Sequence, residues 1–96
     1  MNTYVILRRS GWRSTEELAE AAARSTKVGE EMPDDIAWLR SYVLDEDGGS
    51  VGTVCIYQAS SIDAVREHAQ RADLPADEVI EVLDTVLVRP DPEPAA

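Results

Sequence analysis

The side chains best suited to holding a transition metal are the chain's single histidine, His68, and its single cysteine, Cys55. His68 has no partner at HxxxH or ExxH spacing, which would place a second ligand one helical turn away. A metal site would instead pair it with nearby acids such as Glu67 or Asp63. On a helical wheel His68 lies at the boundary of the apolar stripe, so a surface histidine favoured by the helix dipole is the main alternative.

Cys55 lies in the middle of a predicted strand, where a small buried hydrophobic residue is the main alternative to a metal ligand or a reactive thiol. Either chemical role needs a metal or positive charge nearby. Arg8 and Arg40 are expected on the same sheet face as Cys55. His68 is expected beyond the opposite face, so the alternation predicts no catalytic pair with Cys55 unless a one-residue bulge intervenes.

Alternation of side chains along the predicted strands gives the sheet two unlike faces. The aromatic and polar face is expected to carry Tyr4, Arg8, Trp38, Arg40, Tyr42, Cys55 and Tyr57. The aliphatic face is expected to carry Leu39, Val43, Val54 and Ile56. Because an aliphatic face packs well against helices, we expect the aromatic face to stay bare. It would then serve as a ligand pocket or as a dimer contact.

The order of predicted elements is strand, helix, strand, strand, helix, strand. The strands are expected at Thr3–Arg9, Asp35–Leu44, Val51–Ala59 and Val79–Val88, with a turn at Gly48-Gly49. The first helix should begin at the capping box Ser14–Glu17 and end near Lys27, and the second should begin within Ser60–Asp63. This order predicts a ferredoxin-like α+β fold, with a four-stranded antiparallel sheet and both helices on one face.

The length of 96 residues fits one domain, which we expect at 1–88, followed by a mobile tail rich in proline and acids at 89–96. A bare aromatic face would exceed what monomers usually expose. We therefore expect a homodimer packed through the sheet face, as an α+β barrel or sandwich.

The chain carries 9 Lys and Arg against 19 Asp and Glu, a net charge of −10. This argues against nucleic acid and against anionic membrane surfaces as partners. No apolar run approaches the roughly 20 residues of a membrane-spanning helix, and no secretory signal is visible. The single cysteine excludes an internal disulfide and fits the reducing cytoplasm.

Several segments taken together resemble a known family. They are Ala37–Val43, Cys55–Ala59, Ala64–Ala69 and Leu74–Asp77. The family is the small bacterial ferredoxin-like group catalogued as domain of unknown function 4242, which includes a nickel-binding protein. The resemblance spans about residues 3–88 and implies a dimeric ferredoxin-like fold that binds nickel or a similar divalent metal. The family residues that map onto this chain are His68, Cys55 and Tyr57.

Two departures from the family bear on the metal site. Gln58 stands where family members tend to have an acid, and the hairpin from Asp45 to Gly52 is longer. Three hypotheses follow. The first is a metal-binding, non-catalytic dimer. The second is a cofactor-free oxygenase or isomerase, or a small-molecule-binding module, that uses the aromatic face. The third is an interaction module without chemistry of its own.

Overall fold

The computed structural model describes residues 1–76 and 78–93. Its elements are β1 (Asn2–Trp12), α1 (Thr15–Glu31), β2 (Ile36–Asp45), β3 (Val51–Ala59), α2 (Ile62–Arg71) and β4 (Glu78–Glu81). The sheet has the order β2-β3-β1-β4, and its three strand pairs are antiparallel. This is the ferredoxin-like α+β arrangement that the sequence predicts. Within the described ranges, no helix is long and apolar enough to cross a membrane.

Both helices begin at the predicted serines. The Ser14 hydroxyl accepts from the Glu17 amide at 3.2 Å, and the Ser61 hydroxyl accepts from the Ala64 amide at 3.1 Å. The first cap is only half of a capping box, because the Glu17 carboxylate accepts from the Arg13 amide instead of reaching Ser14. Helix α1 runs to Glu31, past its predicted end near Lys27, because its last turns bury Val28 in the core.

The last strand is shorter than predicted. Pairing with β1 covers only Glu78–Glu81, and one further bond joins the Val82 amide to the Thr3 carbonyl. Since β1 begins at Asn2, it offers no backbone partner beyond that point. Asp77, which closes the Leu74–Asp77 segment, and residues 94–96 of the predicted tail lie outside the described residues.

The helices cover the opposite sheet face from the one that the sequence predicts. Tyr4, Ile6, Cys55 and Tyr57 are only 0–4% exposed and pack in one cluster with Val28 of α1 and Val65 of α2. We call this side, with Tyr4, Ile6, Arg8, Thr53, Cys55 and Tyr57, the covered face. The open face carries Val5, Leu7, Arg40, Tyr42, Val54, Ile56 and Ile80. The expected bare aromatic face is therefore wrong: the rings supply large packing area beneath the helices, and the Tyr57 hydroxyl meets Ser25 of α1.

A bulge in β2 explains a second error of the predicted alternation. Trp38 pairs with Tyr57, but the next pair joins Arg40 to Ile56, which leaves Leu39 without a partner. Trp38 therefore lies on the covered side, whereas Arg40 and Tyr42 lie on the open face. The prediction that these three side chains share one face is wrong.

The hairpin tip holds β1 in place beside Arg8. Gly48 and Gly49 adopt φ of 70° and 82°, as the predicted turn requires. A Cβ on Gly52 would lie 2.5 Å from the Arg8 carbonyl oxygen and 2.6 Å from Glu46 Oε1, so only glycine fits there. The Glu46 carboxylate also accepts hydrogen bonds from Arg9. These hydrogen bonds are the largest contribution that lowers the pKa of Glu46.

Candidate functional site

A cavity of about 170 Å³ lies between α1 and the covered face. Its sheet wall includes Arg8, Thr53 and Cys55, and its helical wall includes Ala21 and Ser25. The small side chains of Ala21, Ala22 and Ser25 on this face of α1 leave the space open. The surface of the cavity is apolar, and polar side chains lie within its walls, a combination found in ligand sites.

The cysteine sulfur is the centre of a buried polar network. Cys55 Sγ accepts hydrogen bonds from Arg8 Nη1 at 3.1 Å and from Ser41 Oγ at 2.9 Å. Ser41 Oγ in turn accepts from Trp38 Nε1 at 2.8 Å, and Arg8 Nε donates to the carbonyl of Pro75. Arg8 thus lies beside the thiol, as the alternation predicts, whereas Arg40 does not.

His68 belongs to the same side of the sheet and is only 1% exposed. Its Nε2 donates to the Ser25 carbonyl at 3.0 Å, because a carbonyl oxygen can only accept. Its ring meets the Tyr57 ring edge-on, with centroids 5.4 Å apart. The predicted boundary position, beyond the face opposite Cys55, is therefore wrong. Both helices lie over the covered face, and Tyr57 adjoins both residues.

Burial sets the protonation state of these groups. It lowers the pKa of His68, and the positive charges of Arg8 and Arg71 lower it further, against the opposing effect of the Ser25 carbonyl. Burial also raises the pKa of Tyr57, whose hydroxyl lies 3.0 Å from Ser25 Oγ. At neutral pH the imidazole and the phenol are therefore both uncharged.

A groove of about 400 Å³ runs between α1 and β2, and His68 lines its inner end. Ser25, Gly29, Glu30 and Trp38 also border it. His68 lies behind Gly29 at the groove wall, where a Cβ would lie in van der Waals contact with Nε2, at 3.9 Å. Across residues 1–76 and 78–93, no three His, Cys, Asp or Glu side chains gather as a preformed metal cluster. A cation in this groove would have two side-chain ligands available, the imidazole of His68 and the exposed carboxylate of Glu30.

The predicted pocket residues separate into three places. Arg8, Trp38, Cys55 and Tyr57 line the cavity, and Tyr4 lies in the main core cluster. Arg40 and Tyr42 lie on the open face and bind Asp91 of the tail. The Arg40 Nη1 and Tyr42 hydroxyl lie 2.6 Å and 2.7 Å from Asp91 Oδ2. The Tyr42 hydrogen bond, more than the Arg40 charge, lowers the pKa of Asp91.

Three polar residues of the site escape sequence reasoning about candidate sites: Ser25, Ser41 and Thr53. Ser25 carries a signal, since it lies four residues after Ala21 and therefore on the same face of α1, where a buried hydroxyl needs a partner. Ser41 enters the covered side only through the bulge at Leu39. Thr53 is the direct cross-strand neighbour of Arg8, a relation that appears only once the strand register is known.

Two comparisons with known proteins bear on this site. The family model described as nickel responsive protein SCO4226-like matches residues 4–82, in agreement with the resemblance drawn from the sequence. Among solved structures, the crystal structure of SCO4226 from Streptomyces coelicolor A3(2) is similar, with a TM-score of 0.69 and 20% identity. That likeness covers 88% of this chain and 99% of the other, and at this identity it shows the fold. No curated protein matches significantly.

Proposed function

Because the chain belongs to the SCO4226-like family of nickel responsive proteins, we propose that it binds Ni²⁺ without catalysing a reaction and acts as a cytoplasmic homodimer. The observation that carries this proposal is the family match over residues 4–82, a range that contains both His68 and Cys55. The net charge of −10 supports it, because an acidic surface attracts divalent cations.

His68 is the proposed anchor of the metal. Metals bind the neutral imidazole, and burial keeps His68 in that form by lowering its pKa. Its Nε2 faces Ser25 and Gly29, which both border the groove. Nickel at Nε2 would replace the hydrogen bond to Ser25, and the ring proton would move to Nδ1.

Glu30 is the proposed second ligand, because it borders the same groove as His68. Imidazole and carboxylate ligands suit nickel, and water would fill the remaining positions. Cys55 is the weaker candidate in this proposal. Its sulfur already accepts two hydrogen bonds, and the Arg8 guanidinium, with Nη1 at 3.1 Å from Sγ, would repel a divalent cation.

Calorimetric titration of metal-free, tag-free protein with Ni²⁺, Co²⁺ and Zn²⁺ tests the proposal. We expect stoichiometric nickel binding that His68→Gln abolishes and Glu30→Gln weakens by roughly tenfold, about the loss of one charge-assisted contact. Glu67→Gln, an exposed neighbour of His68 on α2, is the matched control and should bind like the natural chain. Absence of heat and of any thermal shift with Ni²⁺ would contradict nickel binding.

Because His68 is buried, a second variant separates ligation from folding. Gly29→Ala leaves His68 in place but puts a methyl group 3.9 Å from its Nε2. Alanine also favours the helix over glycine by about 1 kcal/mol, so folding should not suffer. We expect weaker nickel binding with an unchanged or raised melting temperature. Unchanged binding in this variant would move the metal out of the groove.

The homodimer is proposed to form through the open face. This face presents Val5, Leu7, Val54 and Ile56 together with Ile80, a contiguous apolar surface of the kind that a protein contact covers. The segment after β4 adds further apolar surface. Its exposed large residues are Leu83, Val86, Leu87 and Val88, all 80–99% exposed. A monomeric mass by light scattering at micromolar concentration would contradict the dimer.

A further inference from the structure

The cavity under α1 holds a buried positive charge. Arg8 is 1% exposed, and its hydrogen-bond acceptors are the Pro75 carbonyl and the Cys55 sulfur. Nη2 has no hydrogen-bond partner in the described part of the chain, and no ion pair there joins Arg8 to a carboxylate. A buried charge without a counter-charge is costly, so such groups are normally paired.

A second donor without a partner lies beside this one. Thr53 is 2% exposed, and its Oγ1 has no hydrogen-bond partner among residues 1–76 and 78–93. Arg8 and Thr53 are directly opposite in the β1–β3 register, which places their Cβ atoms about 5 Å apart. Both side chains line the cavity. A guanidinium N–H and a hydroxyl therefore lie side by side in the sheet wall, beneath the apolar surface of the cavity, and a carboxylate that reaches this wall would bind both donors.

The rest of the cavity suits an apolar body. Trp12, Leu18, Ala21 and Leu74 line it away from the two donors. Its volume of about 170 Å³ compares with about 150 Å³ for an apolar protein cavity that binds benzene. The cavity also reaches the exposed Trp38 and Val43 of the outer strand and the half-buried Leu18 and Ala22 of α1, so a ligand could enter between α1 and β2.

From these contacts we propose that the cavity binds a small monocarboxylate with an apolar body of about the size of benzoate. The carboxylate accepts from Arg8 Nη2 and Thr53 Oγ1, and the apolar body lies against α1. The Cys55 sulfur and Ser41 hold the Arg8 guanidinium in position through Nη1 and are not themselves needed as ligands. This proposal is independent of nickel binding, since the cavity and the groove at His68 are lined by different charged residues.

The test is a titration of metal-free full chain with sodium benzoate, followed by calorimetry and by saturation-transfer NMR. Benzamide, which has the same shape without the charge, is the ligand control. We expect saturable one-to-one binding of benzoate and at least about tenfold weaker binding of benzamide, because hydrogen bonds to a charged group contribute more. Equal affinity for the two ligands, or no saturation with benzoate, would overturn the proposal.

Paired variants locate the carboxylate. Thr53→Val removes the hydroxyl at nearly constant shape, whereas Thr53→Ser keeps it. We expect several-fold weaker benzoate binding in the first and near-normal binding in the second. Arg8→Met should abolish binding. If that variant does not fold, the threonine pair still decides, because equal affinities of the two threonine variants would contradict the assigned contact.

One acid needs its own control, since position 77 lies outside the described residues. Asp77→Asn is therefore titrated beside the natural chain. Benzoate binding of equal strength in both supports an exogenous ligand for Arg8. Binding found only in Asp77→Asn would mean that the chain itself supplies the anion, and would overturn the proposal.

Discussion

The covered and open faces of the sheet differ in the kind of side chains they carry. Beneath the helices lie an arginine, a cysteine, a threonine and two tyrosines, and the ring of His68 from α2 packs against Tyr57. The open face, by contrast, is largely aliphatic, with its charged contact at Arg40 and Asp91. A polar interior persists only if its groups are bonded or serve a ligand. The contrast agrees with the two proposals, a ligand cavity beneath the helices and a dimer contact on the open face.

The largest expected effect separates the two faces by stability. Ile6→Ala removes a fully buried side chain from the covered face and should cost about 2–5 kcal/mol of unfolding free energy at any protein concentration. Ile56→Ala on the open face should cost less, and its cost should shrink when the protein is diluted until the dimer dissociates. Denaturant unfolding at two protein concentrations measures both. If Ile6→Ala and Ile56→Ala lose equal amounts of unfolding free energy, independent of protein concentration, the two faces do not differ in the proposed way.

A middle-sized effect concerns His68 and pH. In the folded chain the pKa of His68 lies below 6.5, the ordinary value that it takes in the unfolded chain. At a pH between these two pKa values the unfolded chain therefore binds more protons. Stability should therefore be complete above about pH 6.5 and should fall as the pH drops through this window. His68→Gln should flatten that part of the profile. Urea midpoints between about pH 5 and 8 measure it.

Two neighbours sharpen this test of His68. Arg71 lowers the pKa of His68 through its charge, as does Arg8, so Arg71→Gln should narrow the pH window without removing it. The exposed guanidinium of Arg71 also binds Glu31. A profile that is the same in His68→Gln and in the natural chain would show that another group controls the acid loss.

The smallest expected effect lies on the open face. Tyr42→Phe removes the hydrogen bond that most lowers the pKa of Asp91, so this pKa should rise toward its ordinary value of 3.8. Arg40→Gln removes a smaller hydrogen-bond contribution together with a charge, and should also raise the Asp91 pKa. Carboxyl chemical shifts followed by NMR during a pH titration measure both variants. Thermal stability should hardly change, because the contact is exposed and screened by solvent. An Asp91 pKa that is unchanged in Tyr42→Phe would contradict the assigned contribution.

Much of the fold was predictable because local signals are strong. Serine caps, the Gly48-Gly49 turn and the alternation in β3 each act over a few residues, and all three are observed. The choice of face was not predictable from alternation. Alternation shows which side chains share a face of the sheet, but it does not show which face the helices cover. The pair of donors in the cavity wall depends on Arg8 lying directly opposite Thr53, a relation set by the register between β1 and β3.

The unpaired Leu39 matters for comparing this chain with its relatives. The bulge shifts the alternation of side chains by one residue between the two halves of β2. An ungapped alignment of this strand with a strand that has no bulge therefore pairs side chains of the covered face with side chains of the open face. In a relative whose β2 has no bulge and is aligned without a gap, the positions aligned with Arg40 and Tyr42 would turn toward the helices, and the position aligned with Ser41 would turn away from the sulfur. A gap placed at Leu39 instead keeps the facing side of every residue up to Asp45 aligned, and substitution patterns should be compared by facing side.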